Sequence, residues 1–87
     1  MKIIQTNQFK KDLKKQLKRG KDRNKLFDFL ECLVGKDGIP LRYNDHPLKG
    51  NWAGRRDEHL EPDWILIYKI DAESVVLTRT GTHSDLF

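Results

Sequence analysis

Five large apolar residues in a row, Trp64-Ile65-Leu66-Ile67-Tyr68, followed by Lys69-Ile70, set the tightest limit on what this chain can become. Side chains along a strand alternate between its two faces, so a run that is bulky at every position must hide both. Its β-branched and aromatic residues favour a strand over a helix. A strand of this kind belongs at the centre of a sheet, covered on one side by helices. Only 37% of the 87 residues are hydrophobic. A chain this short hides about 60–65% of the surface its unfolded form exposes, so the core is small and has to be built around that strand.

The flanking sequence supplies its neighbours. Asp71 to Glu73 makes a turn, and Ser74 to Thr80 returns as an antiparallel strand that Gly81 ends, leaving a tail from Thr82 to Phe87. Upstream, Arg55 to Leu60 reads as another strand. Lys2 to Gln5 forms a short first strand, and Thr6 or Asn7 then caps a helix with Phe9, Leu13 and Leu17 along one stripe. Gly20 is placed to end that helix in a left-handed conformation. Asp22 caps a second helix with a wider apolar face, Leu26, Phe27, Leu30, Leu33 and Val34, which Gly35 ends. Cys32 falls on its apolar side and reads as a small buried hydrophobe. From Lys36 to Gly54, glycine and proline break the pattern into a long loop, with room for a short strand near Leu41 to Tyr43. The expected fold is α+β in one domain, 1–87: an N-terminal strand and a helical hairpin packed on a small antiparallel sheet.

Charge is distributed unevenly. Residues 1–25 hold ten Lys/Arg against two acids, a net of +8, while the other 62 residues hold seven against eleven, a net of −4. A basic half of this kind attracts polyanions; a solvated helix face that keeps the chain soluble is the plainer reading. The single cysteine excludes an intrachain disulfide. No apolar run has the length of a signal peptide core or of a membrane span. The expectation is a soluble, cytoplasmic protein with no membrane partner.

The chemistry-bearing residues lie in the second half. His46, His59 and His83 stand beside loops or strand ends, among Asp45, Asp57, Glu61, Asp63, Arg55, Arg56 and Arg79. Imidazole titrates at about pH 6.5, so two histidines can take and give a proton near neutrality. Cutting RNA without a metal needs a base for the ribose 2′-OH, an acid for the departing 5′-oxygen, and cations or donors for the phosphate. His, Asp and Arg fill every role. Three scattered histidines also occur as surface or capping residues in many small domains. For zinc the spacing is poor: there is no His-x-x-x-His and no cysteine pair, and Pro62 interrupts His59 and Asp63. No metal and no cofactor is expected. Trp52 suits either base stacking or packing, and Trp64 suits packing in its strand.

Several motifs, in order, carry a resemblance. They are Asp45-His46-Pro47-Leu48-Lys49-Gly50-Asn51-Trp52, Gly54, Arg56-Asp57-Glu58-His59, Glu61-Pro62-Asp63-Trp64 with the strand that follows, and Arg79-Thr80-Gly81-Thr82-His83-Ser84-Asp85-Leu86-Phe87. Together they resemble the YafQ branch of the RelE toxin superfamily, almost continuously from Asn44 to Phe87. From Met1 to Tyr43 only the lysine-rich helical pattern corresponds. The resemblance implies the RelE-like, microbial-ribonuclease-like fold. It also implies a toxin of a type II toxin–antitoxin system that cuts messenger RNA during translation, in the decoding site of the ribosome, without a metal. By the same resemblance His46, His59, Asp63 and His83 are the catalytic set, Arg79 contacts the phosphate, and the terminal aromatic Phe87 helps place the RNA. Arg55 and Arg56 are additional candidates for ribosomal RNA or for the substrate. Arg56 is placed among the substrate-binding residues, and Trp64 stands there too as a support beside Asp63.

In that frame His83 is expected as the general acid, Asp63 or His59 as the base, and His46 with Arg79 as holders of the scissile phosphate. Lys10, Lys11, Lys14, Lys15 and Lys18 would grip ribosomal RNA. The implied partners are the ribosome with its mRNA and a DNA-binding antitoxin of the DinJ/RelB type. Two other readings compete. One is a non-catalytic RNA- or DNA-binding module using the basic helices. The other is a relative that keeps the fold and the antitoxin but has lost activity, against which the complete set of three histidines and Asp63 speaks.

Overall fold

The computed structural model describes residues 2–35, 46–48 and 50–87, with His46 and Asn51 described in their backbone alone. The expected strand near Leu41 to Tyr43 lies outside the described residues. Five strands form one sheet in the order β1-β5-β4-β3-β2. They are β1 (Lys2–Gln5), β2 (His46–Pro47), β3 (Arg56–Glu61), β4 (Trp64–Ile70) and β5 (Ser74–Gly81). The apolar run is β4, and it takes the middle position. β2 to β5 pair antiparallel. β1 does not: it lies parallel to β5, Lys2 opposite Ser74 and Gln5 opposite Leu77. The sheet is therefore mixed: β2 to β5 form the expected antiparallel meander, and β1 adds a parallel edge strand. Periodicity identifies a strand but carries no information on the direction in which it pairs.

Helix α1 (Asn7–Lys18) begins at Thr6, whose Oγ1 accepts from the Phe9 N–H at 3.0 Å and donates to the Thr78 carbonyl at 2.8 Å. After α1, Gly20 takes φ +92°, a conformation that costs glycine nothing. Helix α2 (Arg23–Val34) starts with the Asp22 carboxylate on the Asn24 N–H at 2.9 Å. Both helices cover one face of the sheet. There Phe9, Leu26, Phe29, Leu33, Trp64, Leu66, Tyr68, Val75 and Leu77 make the main core. Phe29 meets Tyr68 edge to face, centroids 5.6 Å apart. Each of these larger side chains contributes about 1.5–3 kcal/mol through burial. Cys32 is half-buried.

On the other face a smaller cluster forms. Ile65, Ile67 and Leu86 are buried there, with Leu48 and Trp52 packed against them, so Trp52 is a packing residue. Leu86 belongs to a four-residue helix, α3 (His83–Leu86), where the sequence suggested only a tail.

β1 covers β5 only as far as Leu77. Beyond it, α1 occupies the edge of β5 and satisfies its exposed backbone. The Thr6 N–H donates to the Leu77 carbonyl at 3.1 Å, and the Thr80 N–H donates to the Asp12 carboxylate at 3.3 Å. An unpaired edge would otherwise leave polar groups without partners. This arrangement brings α1 beside the end of β5, where the chemistry-bearing residues collect. No described helix is long and apolar enough to cross a membrane.

Candidate active site

The site stands at the end of the sheet where β3 turns into β4 and β5 ends. His59 on β3 lies opposite Ile65 on β4, and Ile65 lies opposite Gly81 on β5. Past Gly81 the chain doubles back through Thr82 into α3. This return sets the His83 ring against His59, with Nε2 atoms 3.4 Å apart and ring centroids 5.4 Å apart. Asp63 occupies the short turn between β3 and β4. Its Oδ1 accepts from the His83 N–H at 2.9 Å and from His83 Nδ1 at 2.7 Å.

That geometry fixes the state of the His83 ring. The backbone and ring hydrogen bonds from His83 hold the Asp63 carboxyl below its ordinary value, so it is ionised near neutrality. An ionised carboxylate only accepts, so the Nδ1 facing it carries the hydrogen. Nε2 is left as the working atom, and it faces a second imidazole. A hydrogen bond along that line needs a hydrogen on one Nε2 and none on the other. Two imidazoles that can share one proton therefore stand side by side, with a carboxylate that orients one of them.

Phe87 is 61% exposed, and its ring centroid lies 6.5 Å from that of His83. Arg79 lies one row along the same sheet face, opposite Ile67. Its Nε and one terminal nitrogen donate to Asp12 at 2.9 and 3.1 Å. Asp12 is 7% exposed and also accepts from Gln8 at 2.9 Å. Burial opposes its charge, but the bonds from Arg79, Gln8 and Thr80 outweigh burial and lower its carboxyl. The same pairing raises the Arg79 guanidinium, keeping it a fixed cation. The backbone of His46 lies opposite Asp57 on β3, two residues from His59; its side chain lies outside what is described.

Other expected residues stand elsewhere. Trp64 has no exposed surface and sits in the main core beneath the helices. Its indole N–H donates to Thr80 Oγ1 at 2.8 Å, and that hydroxyl donates to the Ile65 carbonyl at 2.8 Å. It braces β4 against β5, which corrects its placement among substrate contacts. Arg56 lies opposite Tyr68, so strand alternation turns it to the face away from His59. Arg56 therefore stands apart from the face that carries His59. Of the lysines on α1, Lys15 is 3.6 Å from Asp85. Among the described residues no ion pair engages Lys10, Lys11, Lys14 or Lys18.

Three residues were missed from the sequence: Asp12, Gln16 and Asp85. For Asp85 a signal exists, because Thr82-His83-Ser84-Asp85 has the spacing of a helix capping box. Among the described residues, no three His, Cys, Asp or Glu side chains are grouped to hold a metal ion.

Comparison with known proteins identifies relatives over the whole chain. A family model described as a bacterial toxin of type II toxin–antitoxin systems, YafQ, matches residues 1–87. A curated relative, the mRNA interferase toxin YafQ of Escherichia coli K12, is 48% identical over 86 residues, covering 98% of this chain and 94% of the relative. The crystal structure of YafQ from E. coli BL21(DE3) superposes with a TM-score of 0.90 at 46% identity, over 98% of this chain and 96% of that one. YafQ in the crystal structure of the E. coli DinJ–YafQ toxin–antitoxin complex superposes with a TM-score of 0.87 at 48% identity, over 98% and 94%.

Proposed function

The chain belongs to the YafQ family of toxins from type II toxin–antitoxin systems, and from that premise we propose that it is a metal-independent endoribonuclease that cuts messenger RNA on the ribosome. The whole chain acts as one toxin domain in the cytoplasm, and a DinJ-like antitoxin partner keeps it inactive. The observation that carries the reading is the line Asp63–His83–His59, an oriented pair of imidazoles at the rim of a rigid sheet.

In this reading His59 Nε2 takes the proton of the ribose 2′-OH, and the freed oxygen attacks the adjacent phosphorus. The bond from phosphorus to the 5′-oxygen breaks. His83 enters the step as the imidazolium, with Nδ1–H on Asp63 and Nε2–H toward the bare Nε2 of His59, and gives that oxygen its Nε2 proton. His83 ends neutral, His59 ends protonated, and the products are a 2′,3′-cyclic phosphate and a 5′-hydroxyl. Asp63 Oδ1 is already occupied by two hydrogens from His83. This favours Asp63 as the group that orients the acid and His59 as the base, a choice the sequence left open. Arg79, with His46 on the neighbouring strand, offsets charge on the phosphate oxygens, and Phe87 borders the RNA. Lys10, Lys11, Lys14 and Lys18 meet ribosomal RNA phosphates, a contact that weakens with salt.

The test is expression of the wild type and of His83→Ala in a bacterial host, with mapping of messenger 5′ ends. Growth arrest with new in-frame cuts, both lost in the variant, is the expected result. Arrest without cuts overturns the catalytic reading in favour of a nucleic-acid-binding module, and equal cuts in both overturn the role of His83 in the chemistry.

A further inference from the structure

We infer that Asp85 is a positioning residue for His83, fastening the turn that carries the imidazole to helix α1. Its kinetic consequence rests on the endoribonuclease reading; its geometry does not.

A single helical turn has no stability of its own. α3 is four residues long and needs external anchors. Leu86 supplies one by packing on Ile65 and Ile67. Asp85 supplies the others. Within the turn, Thr82 Oγ1 accepts from the Asp85 N–H at 3.2 Å, and Asp85 Oδ2 accepts from the Thr82 N–H at 3.0 Å. The same Oδ2 accepts from Arg19 Nη1 at 2.9 Å and Gln16 Nε2 at 3.2 Å, while Lys15 Nζ stands 3.6 Å from Oδ1. Gln16 is 1% exposed, so its amide has no solvent partner to exchange for the carboxylate. Space for the carboxylate comes from Gly81, where an added Cβ would lie 2.9 Å from Asp85 Cβ.

The two grips bracket His83. Asp63 holds its backbone N–H and Nδ1 on one side, and Asp85, two residues on, ties the same turn to α1 on the other. The Asp63 side chain is itself 61% exposed, so alone it would hold the ring against open competition from water. With Asp85 in place the turn has one orientation, and His83 Nε2 is directed at His59. Displacement of a reacting group by about 1 Å costs roughly a hundredfold in rate. Lys15 and Arg19 are thereby committed to Asp85. Their removal acts on the position of His83, whereas removal of the neighbouring lysines acts on RNA affinity.

The experiment compares the full chain with Asp85→Asn and with Arg19→Ala. An asparagine at 85 still accepts from the Thr82 N–H but has no charge for Arg19 or Lys15. Arg19→Ala removes one arm from outside the turn, so the two variants do not share a folding risk. NMR reads the exchange of the His83 amide and the ring contact between His59 and His83, and kinetics on ribosome-bound mRNA reads kcat and KM. The expected result is His83 amide exchange about tenfold faster, a weakened ring contact, kcat lower by roughly ten- to a hundredfold and KM within about twofold. Unchanged amide exchange and ring contact in both variants overturn the inference whatever the activity. Altered geometry with unchanged kcat upholds the clasp and overturns the assignment of His83 to the chemistry.

Discussion

Asp63 holds His83 at two atoms of one residue, the backbone N–H at 2.9 Å and ring Nδ1 at 2.7 Å, both on a single carboxylate oxygen. The double contact determines which way the ring lies and which nitrogen carries its hydrogen. Asp63→Asn keeps an oxygen able to accept but loses the carboxylate charge beside the ring, and it allows the amide NH2 to turn toward Nδ1 and select the wrong tautomer. Cleavage should fall by about a hundredfold or more with little change in KM. Asp63→Ala frees the turn as well and should be at least as severe. Single-turnover cleavage of ribosome-bound mRNA measures both.

The division of labour between His59 and His83 can be read with a modified substrate. Replacing the scissile 5′-oxygen by sulfur gives a leaving group that departs without being protonated. The loss caused by His83→Ala should then largely disappear, while the loss caused by His59→Ala should persist. Both variants should lose about a hundredfold or more on the ordinary substrate, in the range expected for general acid–base catalysis. Rescue of His59→Ala in place of His83→Ala would reverse the two roles.

The Asp12–Arg79 pair makes a prediction about acid stability. The folded-state carboxyl of Asp12 is lowered from 3.8. A lowered carboxyl adds stability that is present in full above its unfolded value and lost as pH falls through the folded value. Asp85 is shifted in the same direction, chiefly by the Thr82 N–H, against some burial, and then by Arg19. The chain should therefore lose stability as pH falls below about 4, and Asp12→Asn should flatten that loss. Asp12→Ala at neutral pH leaves Arg79 and the Thr80 N–H without their acceptor and should cost about 2 kcal/mol, or roughly 10 °C in Tm. Thermal unfolding at several pH values measures both effects.

What the sequence made legible divides along a physical line. Local signals were readable: the doubly apolar β4, the caps at Thr6 and Asp22, and the turn at Gly20 all come from neighbours within a few residues. The resemblance supplied His59, Asp63 and His83 as a set, but not that Asp63 faces Nδ1 and His59 faces Nε2. What stayed hidden depends on residues far apart in the chain. Asp12 and Gln16 turn into the protein because Arg79 and Asp85, 67 and 69 residues later, are there to meet them. An apolar stripe of Phe9, Leu13 and Leu17 cannot reveal such partners. The basic excess of the first 25 residues looked like one surface. Part of it is internal pairing, Lys15 and Arg19 with Asp85, and Lys21 and Lys25 with Glu61.

Gly81 offers the sharpest separation of stability from function. Its place in the sheet is ordinary, opposite Ile65 at the end of β5, and it has no positive φ to preserve. Its constraint is space alone. A methyl group there would sit 2.9 Å from Asp85 Cβ, closer than such atoms approach, and 3.1 Å from Asp85 Oδ2, a tight contact. β5 is held by its pairing with β4, whereas α3 is a single turn. Gly81→Ala should therefore push Asp85 outward, lengthening its bonds to Gln16 and Arg19 and moving His83 with the turn. The core should keep most of its stability, with a loss of about 1–2 kcal/mol, while cleavage drops by roughly tenfold or more. Unfolding curves beside single-turnover rates decide it. A variant that loses stability without losing rate would mean that β5 gave way and the turn stayed in place.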